Sequence, residues 1–207
     1  SNRRQSSSTR PPASVTRLIE EVGIGFLFAP SHHPAMRHAA LVRKQLGVRT
    51  VFNILGPLTN PAGVKRQLLG VFDAALTETM AEVLGALGAE AAFVVHGADG
   101  GDEISITGET RISALRDGKV STYSFHPVEA GLEVTGAAQI AGGSAEENAA
   151  YLESVLAGEP GGRTDAVLLN AGFVAMLAGQ ATAPADGVAC AREAVASGRA
   201  SALLGRL

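Results

Sequence analysis

The segment His96-Gly-Ala-Asp-Gly-Gly-Asp-Glu103 carries three carboxylates, Asp99, Asp102 and Glu103, in a glycine-rich stretch directly after an apolar run. With Ala91–Val95 read as a buried strand, that stretch lies beyond a strand's carboxyl end, where open α/β sheets bind ligands. Adjacent carboxylates there suit Mg²⁺, a hard cation that takes one or two protein carboxylates, keeps waters and bridges phosphate oxygens. A solvated acidic turn has the same composition, and both readings stand at this point. The ligand spacing of an EF-hand is absent.

Arg43 is the second residue with chemical potential. On a helix over 33–46, Met36, Ala39, Ala40, Val42 and Leu46 span an arc of roughly 160° at about 100° per residue, and Arg43 falls inside it. Arg37, Lys44 and Gln45 lie on the other side. A guanidinium in an apolar arc needs an acid, backbone carbonyls or an anionic ligand, and its planar fork suits a carboxylate or phosphate. A structural ion pair or a snorkelling stem satisfies it equally.

Other polar residues read more simply. His32, His33 and His38 have no Cys or further His at zinc spacing. His96 and His126 suit surface or hydrogen-bonded structural roles. Gly142-Gly143 before Ser144 is either a phosphate cradle or a helix-entry turn. Asn170, an amide in an otherwise apolar helix, reads as a core amide satisfied by a neighbouring loop. Cys190 reads as packing, with no His near it in sequence.

The elements that must position these residues follow from periodicity and punctuation. Helices are predicted over Ser14–Val22, His33–Leu46, from Asp73 to Gly88, Ser144–Leu156, Asp165–Ala178 (fully buried), Asp186–Ser197 and Arg199–Leu207. Strands are predicted at Gly25–Ala29, Val48–Phe52, Lys65–Phe72, Ala91–Val95, Thr110–Leu115 and Val120–Phe125, the last two joined by an Asp117-Gly118 hairpin turn. Asn53–Pro61 reads as turn-rich. Alternation of strands and helices implies an α/β fold, a mainly parallel sheet flanked by helices. Residues 1–13, with three arginines and a Ser/Thr/Pro cluster, form an irregular N-terminal segment, and 14–207 form the α/β domain.

Composition limits the function classes. The 207 residues are 46% hydrophobic and 18% charged, which excludes a disordered chain. With no Trp and 4% aromatics, the core is expected to pack many small side chains. The net charge of −3 gives no basic field for nucleic acid, and no apolar run is long enough for a membrane helix. One cysteine fits a reducing cytoplasm.

Several longer motifs, in order, carry a resemblance. Gly23-Ile-Gly-Phe-Leu-Phe-Ala-Pro30, His33-Pro-Ala-Met-Arg-His38, Val42-Arg43 and Phe52-Asn-Ile-Leu-Gly-Pro-Leu-Thr-Asn-Pro61 come first. His96-Gly97, Asp102-Glu103-Ile104-Ser105, Gly142-Gly143 with Asn148-Ala149, and Leu168-Leu-Asn-Ala171 follow. Together they resemble the anthranilate phosphoribosyltransferase family from about Pro11 to the end. The resemblance implies a catalytic domain of nucleoside phosphorylase/phosphoribosyltransferase type. It also implies a reaction of tryptophan biosynthesis in which the anthranilate amine displaces pyrophosphate from phosphoribosyl pyrophosphate. Asp102 and Glu103 match the family's Mg²⁺-holding acids, and Arg43 the arginine that meets the anthranilate carboxylate. Ala29, Pro30 and Met36 match positions lining the aromatic substrate's channel, and Asn2 a substrate-contacting asparagine. No residue is assigned covalent catalysis. The intact family enzyme is expected to be a homodimer.

The departures are as specific. The family's N-terminal helical domain, its Gly-Thr-Gly-Gly-Asp pyrophosphate loop and its Asn-x-Ser-Thr segment have no counterpart in these residues. The chain is therefore expected to be an incomplete catalytic domain, inefficient alone, with residues 1–13 a remnant of the active-site loop. The rival readings are a pyrimidine nucleoside phosphorylase-like enzyme, a non-catalytic nucleic-acid-binding relative, and an inert fragment.

Overall fold

The computed structural model describes residues 12–27, 52–60 and 62–206. They fall into two compact units: the described residues before Val64 together with those from Ala202 onward, and Val64–Ser201. The predicted helix over 33–46 and most of the strand over Val48–Phe52 lie outside the described residues.

In the first unit, α1 (Pro12–Glu21) carries an exposed Arg17–Glu21 pair at 3.1 Å, one helical turn apart. Val15 is buried. Residues 25–27, the described part of the segment read as a short strand or an extended entry to a loop, have no regular structure. α2 (Phe52–Leu58) replaces the turn-rich reading of Asn53–Pro61. It includes Pro57, whose ring has no N–H to donate and so keeps the helix short. The Thr59 hydroxyl closes it by donating to the Leu55 carbonyl at 3.0 Å.

The second unit is built on a four-stranded sheet of order β1 (Arg66–Gly70), β2 (Ala91–Gly97), β3 (Thr110–Arg116), β4 (Lys119–Phe125). The fold is α/β with flanking helices, and the sheet is mixed. β1 and β2 are parallel, whereas β2–β3 and β3–β4 are antiparallel, so among the described residues the sheet is not mainly parallel. Asp117 (φ 51°) and Gly118 (φ 71°) make a tight turn of primed type, whose twist matches the strands it joins and obliges them to run antiparallel. α3 (Leu76–Ala86) connects the two parallel strands. Asp73 precedes α3 in an Asx turn, Oδ1 accepting from the Ala75 N–H at 2.9 Å, and does not cap the helix itself.

Alternation along β2 divides two layers. Ala92 and Val94 face α3, whose Thr77, Met80, Ala81 and Leu84 are buried. Phe93 and Val95 face α6 (Gly162–Leu177), together with Ile112 and Phe125. Phe173 of α6 meets Phe93 and Phe125 edge-to-face at centroid distances of 5.2 and 5.0 Å. The core is thus aliphatic around an aromatic centre. Beyond a 3₁₀ turn (Pro127–Ala130) lie α4 (Ala137–Ile140), α5 (Ala145–Leu156), α7 (Pro184–Ala196) and α8 (Arg199–Arg206). α6 is not fully buried: Val167 and Val174 on its outer face are 45% and 50% exposed. No helix among the described residues is long and apolar enough to cross a membrane.

Candidate functional site

β1 and β2 run in parallel, so their carboxyl ends lie together, and the loop after β2 folds over that end. The ladder continues one bond past β1, from the Val71 N–H to the Val95 carbonyl at 3.0 Å. His96 Nδ1 lies 2.8 Å from the Val71 carbonyl and ties the two ends together. The structural role expected for this histidine is the one it has.

The three carboxylates part company here. Asp99 turns inward. Its Oδ1 accepts from the Gly101 N–H at 3.0 Å, and its Oδ2 accepts from the Ser105 hydroxyl at 2.8 Å and the Thr107 hydroxyl at 2.6 Å. Partial burial pushes its carboxyl upward, but hydrogen bonds from Thr107, Ser105 and Gly101 outweigh that and hold it below the usual aspartate value. It organises the loop and has little capacity left for a cation.

Asp102 and Glu103 take no part in that network. Both are exposed, and neither has a side-chain partner among the described residues. The chain enters the core directly after them, with Ile104 and Ile106 each 1% exposed. Behind Asp102 lies Gly70, where any Cβ would overlap the Asp102 carbonyl. Only glycine lets the loop cross the end of β1 so closely. Across the loop, Asn170 of α6 accepts from the Ile104 N–H at 3.0 Å and donates to the Ile104 carbonyl at 2.9 Å. This loop-satisfied amide agrees with the sequence reading. The Gly70 and Asp99 roles were not foreseen; Asp99-Gly-Gly followed by Ser105 and Thr107 is their only local signal, a side-chain acceptor ahead of a turn.

Two adjacent exposed carboxylates beside a strand end fit Mg²⁺ of the kind that shares its coordination with substrate phosphates and water. No group of three or more His, Cys, Asp or Glu side chains among the described residues makes a closed metal cage. Arg43, Asn2, Ala29, Pro30 and Met36 lie outside the described residues.

The N–H groups of Gly143 and Ser144 are both engaged by α5 side chains. The Gly143 N–H is taken by Asn148 Oδ1 at 2.9 Å and the Ser144 N–H by Glu147 Oε2 at 2.7 Å, within the capping box that opens α5. The helix-entry reading is borne out by this capping box. A hollow of about 750 Å³ lies at the opposite end of the sheet, with Phe93, Met176, Arg116 and Tyr123 among its walls. Burial pushes the Tyr123 phenol upward, against the opposing pull of Arg116. Arg66 at its rim is engaged by Glu90 at 3.2 Å.

Residues 8–201 match the family described as "Glycosyl transferase family, a/b domain". An anthranilate phosphoribosyltransferase from Azorhizobium caulinodans is 50% identical over 95% of the chain, and one from Desulfatibacillum aliphaticivorans is 52% identical over 95%. The chain spans 57% of the length of each of these relatives. Among solved structures, anthranilate phosphoribosyltransferase from Saccharomyces cerevisiae in complex with PRPP and Mg superposes with a TM-score of 0.88 at 31% identity. That match covers 96% of this chain and 57% of the other. The same yeast enzyme in complex with 4-fluoroanthranilate gives 0.89 at 30% identity, covering 96% and 58%.

Proposed function

The chain belongs to the glycosyl transferase family, a/b domain, and from that premise we propose that it is the α/β portion of an anthranilate phosphoribosyltransferase. The reaction transfers phosphoribosyl from phosphoribosyl pyrophosphate to the amine of anthranilate, releasing pyrophosphate. The observation that carries this reading is the 50% identity maintained over 95% of the chain to a relative so named. The exposed acid pair at the carboxyl ends of β1 and β2 would supply chemistry such a transfer needs.

Asp102 and Glu103 would hold Mg²⁺. When bound, Mg²⁺ would supply positive charge against the charge of the departing pyrophosphate. The protein's own work is positional. The loop presents both carboxylates at one edge of the site, and Asp99 keeps that loop in one shape. Arg43 would receive the anthranilate carboxylate through its two-point fork, with Ala29, Pro30 and Met36 lining the aromatic ring's path and Asn2 touching substrate. Holding a weak aryl amine against an electron-poor anomeric carbon is worth far more here than acid–base assistance, since orientation alone can contribute about 7–11 kcal/mol. A homodimer and a cytoplasmic setting accompany this reading.

Loss of anthranilate fluorescence on adding phosphoribosyl pyrophosphate and Mg²⁺, in the protein that contains these residues, tests the proposal. Turnover that collapses with Asp102→Asn/Glu103→Gln is expected. Turnover of thymidine and phosphate with none of anthranilate would overturn it in favour of a nucleoside phosphorylase. For Arg43→Ala, weakened anthranilate binding with phosphoribosyl pyrophosphate binding intact is expected by calorimetry, and equal loss of both ligands would remove the assigned role.

A further inference from the structure

We propose that Asn170 is the positioning residue of the Asp102–Glu103 pair: its carboxamide fixes the backbone that leaves the two acids, so that both meet one pyrophosphate-bound divalent cation. The inference rests on the acid-pair reading above and adds to it a residue with no contact to substrate or metal.

The geometry is a pair of clamps around a dipeptide. On the near side, both polar backbone groups of Gly101 are committed: its N–H to Asp99 Oδ1 at 3.0 Å, its carbonyl to the Gly97 N–H at 2.9 Å. On the far side, both polar backbone groups of Ile104 are committed to the Asn170 side chain, at 3.0 and 2.9 Å. Only Asp102 and Glu103 lie between. A carboxamide that accepts one N–H and donates to the carbonyl of the same residue does for Ile104 what a neighbouring strand would do.

The orientation of that carboxamide is unique. Nδ2 donates a second time, to the Ala166 carbonyl one turn back at 3.0 Å. A flipped amide would set its oxygen against two carbonyls and its nitrogen against an N–H. A helix interior gives asparagine no intrinsic advantage, and α6 is otherwise apolar around it, so the residue's polarity is used on Ile104. The side chain of Ile104 also anchors this point, being buried, while the amide clamp fixes the two polar groups of its backbone. Gly70 beneath the Asp102 carbonyl limits movement in the remaining direction.

Titration of Mn²⁺ with inorganic pyrophosphate, followed by electron paramagnetic resonance on the protein that contains these residues, reads the pair directly. Affinity is scored per folded molecule, with the folded fraction taken from circular dichroism. Wild type is expected to bind, and Asp102→Asn/Glu103→Gln to lose that binding. Asn170→Ala is expected to weaken it about 10–100-fold, the range for residues that orient metal ligands. Asn170→Ser, which is too short to span both Ile104 groups, is expected to act in the same direction and serves where Ala does not fold. Wild-type affinity in the folded Asn170 variants, whatever their melting temperature, overturns the clamp and leaves the acid-pair reading standing. Binding absent from wild type, or untouched by the double acid variant, overturns the acid-pair reading and the clamp with it.

Discussion

Asp99, Asp102 and Glu103 share a loop and a charge, and what separates them is where their oxygens find donors. Asp99 has three donors and a carboxyl held below its ordinary value. A group whose folded pKa is depressed stabilises the fold fully above its unfolded value, about 3.9, and loses that contribution as pH falls through the lower folded value. The loop is therefore expected to loosen below about pH 4. Amide protection factors at Ser105 and Thr107 across that range should fall in the wild type, and those of Asp99→Asn should be low already at neutral pH. Gly70 acts by what it lacks. Gly70→Ala puts a methyl into the Asp102 carbonyl, displacing the acids and weakening Mg²⁺–pyrophosphate binding by about ten-fold; calorimetry showing unchanged affinity would mean that the loop relocates without consequence. The acid pair and the loop-bound Asn170 were legible because adjacency and an isolated amide in an apolar run are local signals. The separate fate of Asp99 was not, since it depends on where Thr107, eight residues on, directs a hydroxyl.

The elements were legible where period and punctuation agreed. The β3–β4 hairpin follows from Asp117-Gly118, and α5 from its Ser144–Glu147 capping box. They were misread where one local signal contended with another: Asn53–Pro61 has the composition of a turn, yet Phe52–Leu58 closes as a short helix with Thr59 hydrogen-bonded to its last carbonyls. The composition of α6, apolar all round, predicts burial on all sides, while only one side faces the sheet and Val167 and Val174 face away. What orients α6, and with it Asn170, is a glycine crossing. A Cβ at Gly172 would stand 2.7 Å from the Val188 nitrogen and 2.8 Å from the Gly187 carbonyl carbon of α7. Those neighbours are backbone and cannot rotate aside. Alanine would gain roughly 1 kcal/mol of helix propensity, but forcing two helices apart costs typically about 1–3 kcal/mol, and more where backbone must move. Gly172→Ala is therefore expected to lower the melting temperature by several degrees; a rise would show that the helices slide past one another freely.

At the scale of the whole molecule, composition anticipated a core of small side chains, and Val, Ile, Leu and Ala do fill most of it. Three phenylalanines nevertheless hold its centre. Phe173 is 1% exposed and meets one ring from β2 and one from β4, so a single side chain joins the sheet to the helix that clamps the acid loop. A sequence with few aromatics does not reveal that Phe93, Phe125 and Phe173 converge, because their separations along the chain follow neither a strand nor a helix period. Truncating a buried phenylalanine costs about 3–5 kcal/mol, against a total stability of roughly 5–15 kcal/mol for a native protein. Phe173→Ala is thus expected to remove a large share of the stability of Val64–Ser201, lowering the urea midpoint while leaving the denaturant slope unchanged. Exposed pairs such as Arg66–Glu90, at 51% and 58% exposure, cannot compensate, since such pairs contribute about 0–1 kcal/mol. Should the Phe173→Ala midpoint stay within error of wild type, the aromatic centre would be dispensable and the aliphatic packing around it would hold α6, and therefore Asn170, in place.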